Sequence, residues 1–142
     1  MPTRTSDAIW HGNLRAGRGH MRFGGGAYDG EYTWASRFSD GGGTNPEELI
    51  AAAHAGCYSM ALAADLEVAG FKPEVVRASA EVHLDMVGGA PTITLIELTV
   101  GAKVPGIDDA KFQEIAAGTK MNCPVSRALG AVKITVDATL ER

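Results

Sequence analysis

The amino-acid sequence predicts an α+β fold in which antiparallel sheets pack around one long central helix. Three observations carry that expectation. Residues 44–70 read as a single long helix with signals at both ends. Strand patterns follow it, from Ala80, Thr92 and Val132, two of them in strict apolar–polar alternation. Strands and helices come in groups, without the strand–helix–strand rhythm of a parallel sheet.

In chain order, residues 8–38 alternate short apolar patches with glycine: AIWHGNL, GHMRF and, after GGGAYDG, EYTWASRF. This predicts a three-stranded meander. Arg15, Arg18, His20 and Arg22 form a basic run there, which reads first as a solvated strand face. DGGG at 40–43 leads into the central helix, which Thr44 or Asn45 can cap; Thr44-x-x-Glu47 also fits a capping box. Pro46 suits the first turn, Glu47 and Glu48 sit where the helix dipole favours negative charge, and Gly70 is the stop. Leu49, Ile50, Ala53, Cys57, Met60, Ala61 and Ala64 form the expected apolar stripe, with a thiol at its middle. At about 1.5 Å per residue the helix is roughly 40 Å long, the span of a small domain.

Beyond Gly70 the period changes. Ala80, Val82, Leu84 and Met86 alternate with Glu81, His83 and Asp85; Gly88-Gly89 turns the chain, and Thr92–Val104 returns as an antiparallel partner. After Pro105-Gly106, Asp108 or Asp109 caps a helix to about Thr119 that offers Ala110, Phe112 and Ile115 to the core. A short helix follows Cys123-Pro124 and reaches Leu129-Gly130. Val132, Ile134, Val136, Ala138 and Leu140 alternate in a closing strand.

The length of 142 residues suits one domain, 1–142, with a real core. A composition of 45% hydrophobic and 21% charged residues with net charge −4 gives no electrostatic case for nucleic acid or a membrane surface. The sequence shows no apolar run of the roughly 18 to 20 residues a membrane span needs, and MPTRTSDAIW lacks a signal peptide's apolar core. The expected location is therefore the cytoplasm. There, two cysteines are redox-active, metal-binding or simply buried rather than a structural staple.

Cys57 lies mid-helix and can be a small buried hydrophobe. Cys123, in NCPVS, precedes a proline at a helix start, where unpaired amides and the dipole favour thiolate. Two cysteines fit a peroxidatic–resolving couple, in which one thiolate becomes a sulfenic acid and the second condenses with it to a disulfide. His54, three residues before Cys57, shares its helix face and can tune the thiol or pack in the core. A zinc site would need Cys123, His11, His20 or His83 as well, and these show no metal-ligand spacing. No nucleotide-binding glycine pattern or haem attachment signature is present, so no cofactor is expected.

TNPEELIAAAHAGCYSMAL, followed much later by NCPVS, resembles the osmotically inducible protein C and organic hydroperoxide resistance family, and more closely its OsmC branch. WHGNL, the RF ahead of a glycine loop and the VPGID turn agree, so the resemblance covers essentially the whole chain. It implies a thiol-dependent hydroperoxide peroxidase that is an intertwined homodimer with active sites at the interface, reduced by an external dithiol. By motif it implies that Cys57 is the peroxidatic cysteine, Cys123 the resolving one, Arg37 the arginine that holds the thiolate and Glu47 its carboxylate partner. Arg15, Arg18 and Arg22 are rivals for the arginine. Glu47 and Cys57 are ten residues apart, about 15 Å along a straight helix, so Glu47 of one chain is expected to serve Cys57 of another through antiparallel central helices. Met60, Tyr58, Leu49, Ile50 and Phe38 are candidates for an apolar pocket, and equally for core. The alternatives are a redox sensor using the same cysteine pair without turnover, and a structural dimer with inert thiols.

Overall fold

A computed structural model describes residues Met1–Arg142. The chain forms two compact units, Met1–Leu49 and Ile50–Arg142.

The first unit contains the expected meander: β1 (Asp7–His11), β2 (Arg18–Phe23) and β3 (Tyr28–Tyr32), antiparallel in that order. Gly19 on β2 faces Trp10 on one side and Tyr32 on the other, and those two rings meet at 5.4 Å across it. A Cβ at Gly19 would stand 2.6 Å from the Tyr32 ring and 2.8 Å from the Trp10 ring, so only glycine fits. The third strand does not run on through EYTWASRF. Thr33 accepts from the Ser36 amide and Ser36 from the Thr33 amide, a reciprocal capping box that starts a short helix, α1 (Trp34–Phe38). Arg37 is therefore helical rather than part of a strand.

The central helix, α2, runs from Pro46 to Val68. Its cap is Asn45: Oδ1 accepts from the Glu48 amide at 2.7 Å while Nδ2 donates to the Ser36 carbonyl at 2.8 Å. The Thr44–Glu47 capping box does not form, because Thr44 bonds Glu48 and Glu47 is engaged by Arg37. At the far end Gly70, at φ +94°, lets the Phe71 amide reach back to the Leu66 carbonyl at 2.9 Å.

The second unit holds the sheet β4 (Val75–Val87), β5 (Ala90–Lys103) and β6 (Lys133–Glu141), in that order. β4 and β5 form the expected antiparallel hairpin, with Gly88 and Gly89 both at positive φ as a two-residue turn of this kind needs. The closing strand departs from the all-antiparallel expectation: β6 pairs with β5 in parallel, Leu95 with Lys133 through Lys103 with Glu141. Parallel pairing needs a long crossover, supplied by α3 (Asp109–Asn122) and α4 (Pro124–Ala128). The hairpin ahead of this crossover masks the strand–helix–strand rhythm in the sequence. Asp108 is the α3 cap, accepting from the Lys111 amide.

The core of this unit sets Tyr58, Leu62 and Leu66 of α2 against Leu98, Val100 and Ala102 of β5 and Phe112 and Ala116 of α3. The buried line on α2 is thus His54, Tyr58, Leu62 and Leu66 at a spacing of four, whereas Ala53, Met60 and Ala64 of the expected stripe are exposed. Most α2 positions are alanine, glycine or larger apolar residues, so periodicity selects no single face. The same composition makes α2 long and apolar enough to cross a membrane, with mean hydropathy 1.3, against the expectation that no such run exists. Tyr58, Leu62 and Leu66 are spent on a protein core.

Candidate functional site

In the second unit α2 and the α3–α4 junction bring two thiols together. Cys57 is half-buried and Cys123 fully buried, and their Sγ atoms are 3.1 Å apart. A covalent S–S bond is about 2.05 Å, so oxidation needs a shift of roughly 1 Å. Cys123 occupies the residue where α3 ends and α4 begins, with Pro124 fixing the start of the second helix. Two residues 66 positions apart are thereby held within one hydrogen bond.

The environment of the two sulfurs differs. Burial raises the Cys123 thiol, but the Ser126 amide, the shared bond with Cys57, the Ser126 hydroxyl and the Val125 amide outweigh it, and the thiol titrates below its ordinary value. At Cys57 burial raises the thiol, the bond with Cys123 and the nearness of that sulfur raise it further, and only the Val125 amide opposes them. No positive charge in the second unit offsets that rise.

His54 is fully buried beside the pair, with Nε2 2.7 Å from Ser126 Oγ. Its Nδ1 has no hydrogen-bond partner, and burial holds the imidazole below its usual pKa, so it is neutral. Tyr58 is core rather than pocket: its hydroxyl donates to the Ala116 carbonyl at 2.8 Å, and burial above all, with the charges of Cys123 and Asp65, pushes its pKa up. Met60, by contrast, is 79% exposed, and Phe38, Leu49 and Ile50 are half-buried.

In the first unit Arg37 and Glu47 pair. Arg37 Nη2 donates to Glu47 Oε1 at 2.8 Å and Nε donates to the same oxygen at 3.0 Å. The carboxylate is buried, so its charge is compensated within its own unit. Arg18 and Arg22, the rivals on β2, point to Glu31 and Asp7, and Arg15 lies 3.8 Å over the Trp34 ring.

Of the histidines weighed as zinc ligands, His20 bonds Asp29 and His83 bonds Glu97. Glu81, His83 and Glu97 place one ligand atom each within 4.8 Å of one another on β4 and β5, a set without a cysteine. Sequence reasoning missed Ser126 and the Val125 amide. The signal for both was the run Cys-Pro-Val-Ser, which sets a hydroxyl three residues after a capping thiol. The partner of His54, 72 positions away, had no local signal.

The family model described as OsmC-like protein matches residues 39–137. The chain is 42% identical over 139 residues to Peroxiredoxin OsmC of Escherichia coli (strain K12), covering 97% of this chain and 96% of that protein. It is 34% identical over 101 residues to the organic hydroperoxide resistance protein of Xanthomonas axonopodis pv. citri (strain 306), covering 70% of this chain and 67% of the relative. The crystal structure of an organic hydroperoxide resistance protein OsmC from Legionella pneumophila superposes with a TM-score of 0.73 at 24% identity, covering 98% of this chain and 99% of that one, which shows the fold.

Proposed function

The chain belongs to the OsmC-like protein family, and from that premise we propose that it is a cysteine-based peroxidase acting on organic hydroperoxides and on hydrogen peroxide. The observation that carries the proposal is the 3.1 Å approach of Cys57 and Cys123. The relatives named for peroxiredoxin and hydroperoxide resistance activity support the substrate class.

The Cys57 thiolate attacks the outer peroxide oxygen; the O–O bond breaks, Cys57 becomes a sulfenic acid and the alkoxide leaves to be protonated to an alcohol. Cys123 then displaces hydroxide from the sulfenic sulfur, forming the Cys57–Cys123 disulfide and water. An external dithiol reduces the disulfide, returning both thiols and leaving as its own disulfide. Cys57 is the peroxidatic sulfur because it is the less buried of the two. Arg37 stabilises its thiolate and the developing alkoxide, and Glu47 fixes the plane of the guanidinium.

Cys57 lacks a cation in its own unit, and ten residues of unbroken helix carry Glu47 about 15 Å along the axis from it. The Arg37–Glu47 pair therefore serves Cys57 of a second chain in a homodimer. The exposed apolar side of α2, with Ala53, Met60 and Ala64, supplies surface for that partner.

The test follows loss of cumene hydroperoxide in the presence of a dithiol. Wild type turns over, Cys57→Ser does not, and Cys123→Ser stops at a sulfenic or overoxidised Cys57 seen by mass. Disulfide formation without peroxide turnover would replace the enzyme with a redox sensor.

A further inference from the structure

Cys123 is fully buried, so the proton it sheds when it attacks a sulfenic acid cannot pass directly to solvent. The hydroxyl of Ser126 lies in the same turn, three residues on from Cys123, and is among the groups that favour the Cys123 thiolate. Behind it, His54 Nε2 is 2.7 Å from Ser126 Oγ. A sulfur, a hydroxyl and an imidazole thus stand in series, inside the protein, with no polar partner on the far nitrogen of the ring.

We propose that His54, acting through the Ser126 hydroxyl, is the internal proton acceptor for the Cys123 thiol during disulfide formation. This deepens the peroxidase proposal and rests on it for the reaction step.

Leaving Nδ1 unpaired costs stability, which an apolar residue at position 54 would spare. Burial keeps the ring neutral and able to accept. The protons balance over the cycle. The Cys123 proton passes to Ser126 Oγ as the Ser126 proton passes to His54 Nε2; the S–S bond forms, the S–O bond breaks, and the departing hydroxide takes a proton from solvent. When the dithiol reduces the disulfide it releases two protons to solvent, and Cys123, leaving as thiolate, recovers its proton from the imidazolium through the same hydroxyl. The other titratable groups that act on the pair come from α2: Cys57 itself and Tyr58, whose hydroxyl is held by the Ala116 carbonyl. Asp65, further along α2, is taken up by Thr119 Oγ1. His54 is a positioning and relay residue, because it acts on the sulfur only through the Ser126 hydroxyl it bonds.

Two measurements decide it. In single-turnover mixing with peroxide, the rate of disulfide formation after sulfenate appears is expected to fall about 100-fold in His54→Gln and in Ser126→Ala, with Ser126→Thr close to wild type. The wild-type rate declines on acidification below the ordinary histidine pKa of 6.5, and His54→Gln abolishes that limb. Ser126→Ala removes one oxygen, so it keeps the test valid should His54→Gln fail to fold. Folded variants that close the disulfide at the wild-type rate with the wild-type pH profile would overturn the relay. Where no sulfenate forms at all, the peroxidase proposal fails, and the relay is judged without peroxide. In a Cys57→Ser background, the thiolate absorbance of Cys123 is expected to titrate at least half a pH unit higher when Ser126→Ala or His54→Gln is added; an unmoved midpoint overturns it.

Discussion

Arg37 donates to Glu47 through both Nε and Nη2, at 3.0 Å and 2.8 Å, so a nearly buried carboxylate fixes the plane of a guanidinium whose side chain is 39% exposed. The charge that faces outward is thereby oriented from within. Lysine reproduces the charge but not the fork. Arg37→Lys is expected to lower kcat/KM for peroxide about 100-fold, measured by stopped-flow mixing. Glu47→Gln, which keeps the shape and loses the charge, is expected to cost less, about tenfold.

The same pair has a stability role. Arg37→Ala leaves the Glu47 carboxylate buried without its donor, and denaturant unfolding is expected to report a loss of about 2 kcal/mol. Arg37→Ala combined with Glu47→Gln should recover part of that loss, since no buried charge remains.

How much of this was legible in the sequence depends on whether the deciding interaction is local. Asn45, Gly70, Gly88-Gly89 and Asp108 carry their instructions within four residues, and the helix ends and the hairpin were read from them. The capping box at Thr33–Ser36 is equally local but was hidden by aromatic, strand-like neighbours. The buried face of α2 was misread because alanine and glycine fill most of its turns, and only contact with β5 and α3 picks out Tyr58, Leu62 and Leu66. The parallel placement of β6 and the His54–Ser126 bond are long-range, and no local pattern encodes them. The cysteine pair is legible as a redox couple from residue chemistry, whereas the separate roles of Cys57 and Cys123 and the choice of Arg37 and Glu47 rest on motif resemblance.

Stability should weaken on mild acidification. The folded-state pKa of His54 lies below its ordinary 6.5, so the unfolded chain binds a proton first as pH falls. Stability from this group is intact above 6.5 and is lost progressively beneath it, down to the folded-state pKa. Urea unfolding between about pH 7.5 and 5 is expected to show a fall in wild type that is smaller in His54→Gln.

Tyr58→Phe removes the donor to the Ala116 carbonyl without opening a cavity. The expected cost is about 1 kcal/mol, or about 3 °C in melting temperature. Peroxide turnover at 25 °C should be unchanged, because the hydroxyl's hydrogen bond is committed to the Ala116 carbonyl.

Met60→Glu places a charge on the exposed apolar side of α2. Under the homodimer we propose, light scattering is expected to show a wild-type dimer and a Met60→Glu monomer, with loss of turnover at low protein concentration. A variant that stays dimeric and active would place the partner elsewhere.

The parallel seam between β5 and β6 also sets an order of events. β4 and β5 pair across a turn, Val87 with Ala90, whereas β6 must find β5 across a separation of 38 positions, Leu95 with Lys133. Pairing over so long a separation is slow. Pulse-labelled hydrogen exchange during refolding is expected to protect β4–β5 amides before those of β6. Cys123 lies in the segment that the last strand pins down. A chain that lacks β6 loses the bond from Gln113 to the Ala138 carbonyl that ties α3 to the last strand, and keeps only Tyr58–Ala116, Asp65–Thr119 and His54–Ser126 to hold its second sulfur near the first. The crossover that carries Cys123 is therefore expected to settle fully only once β6 has docked on β5.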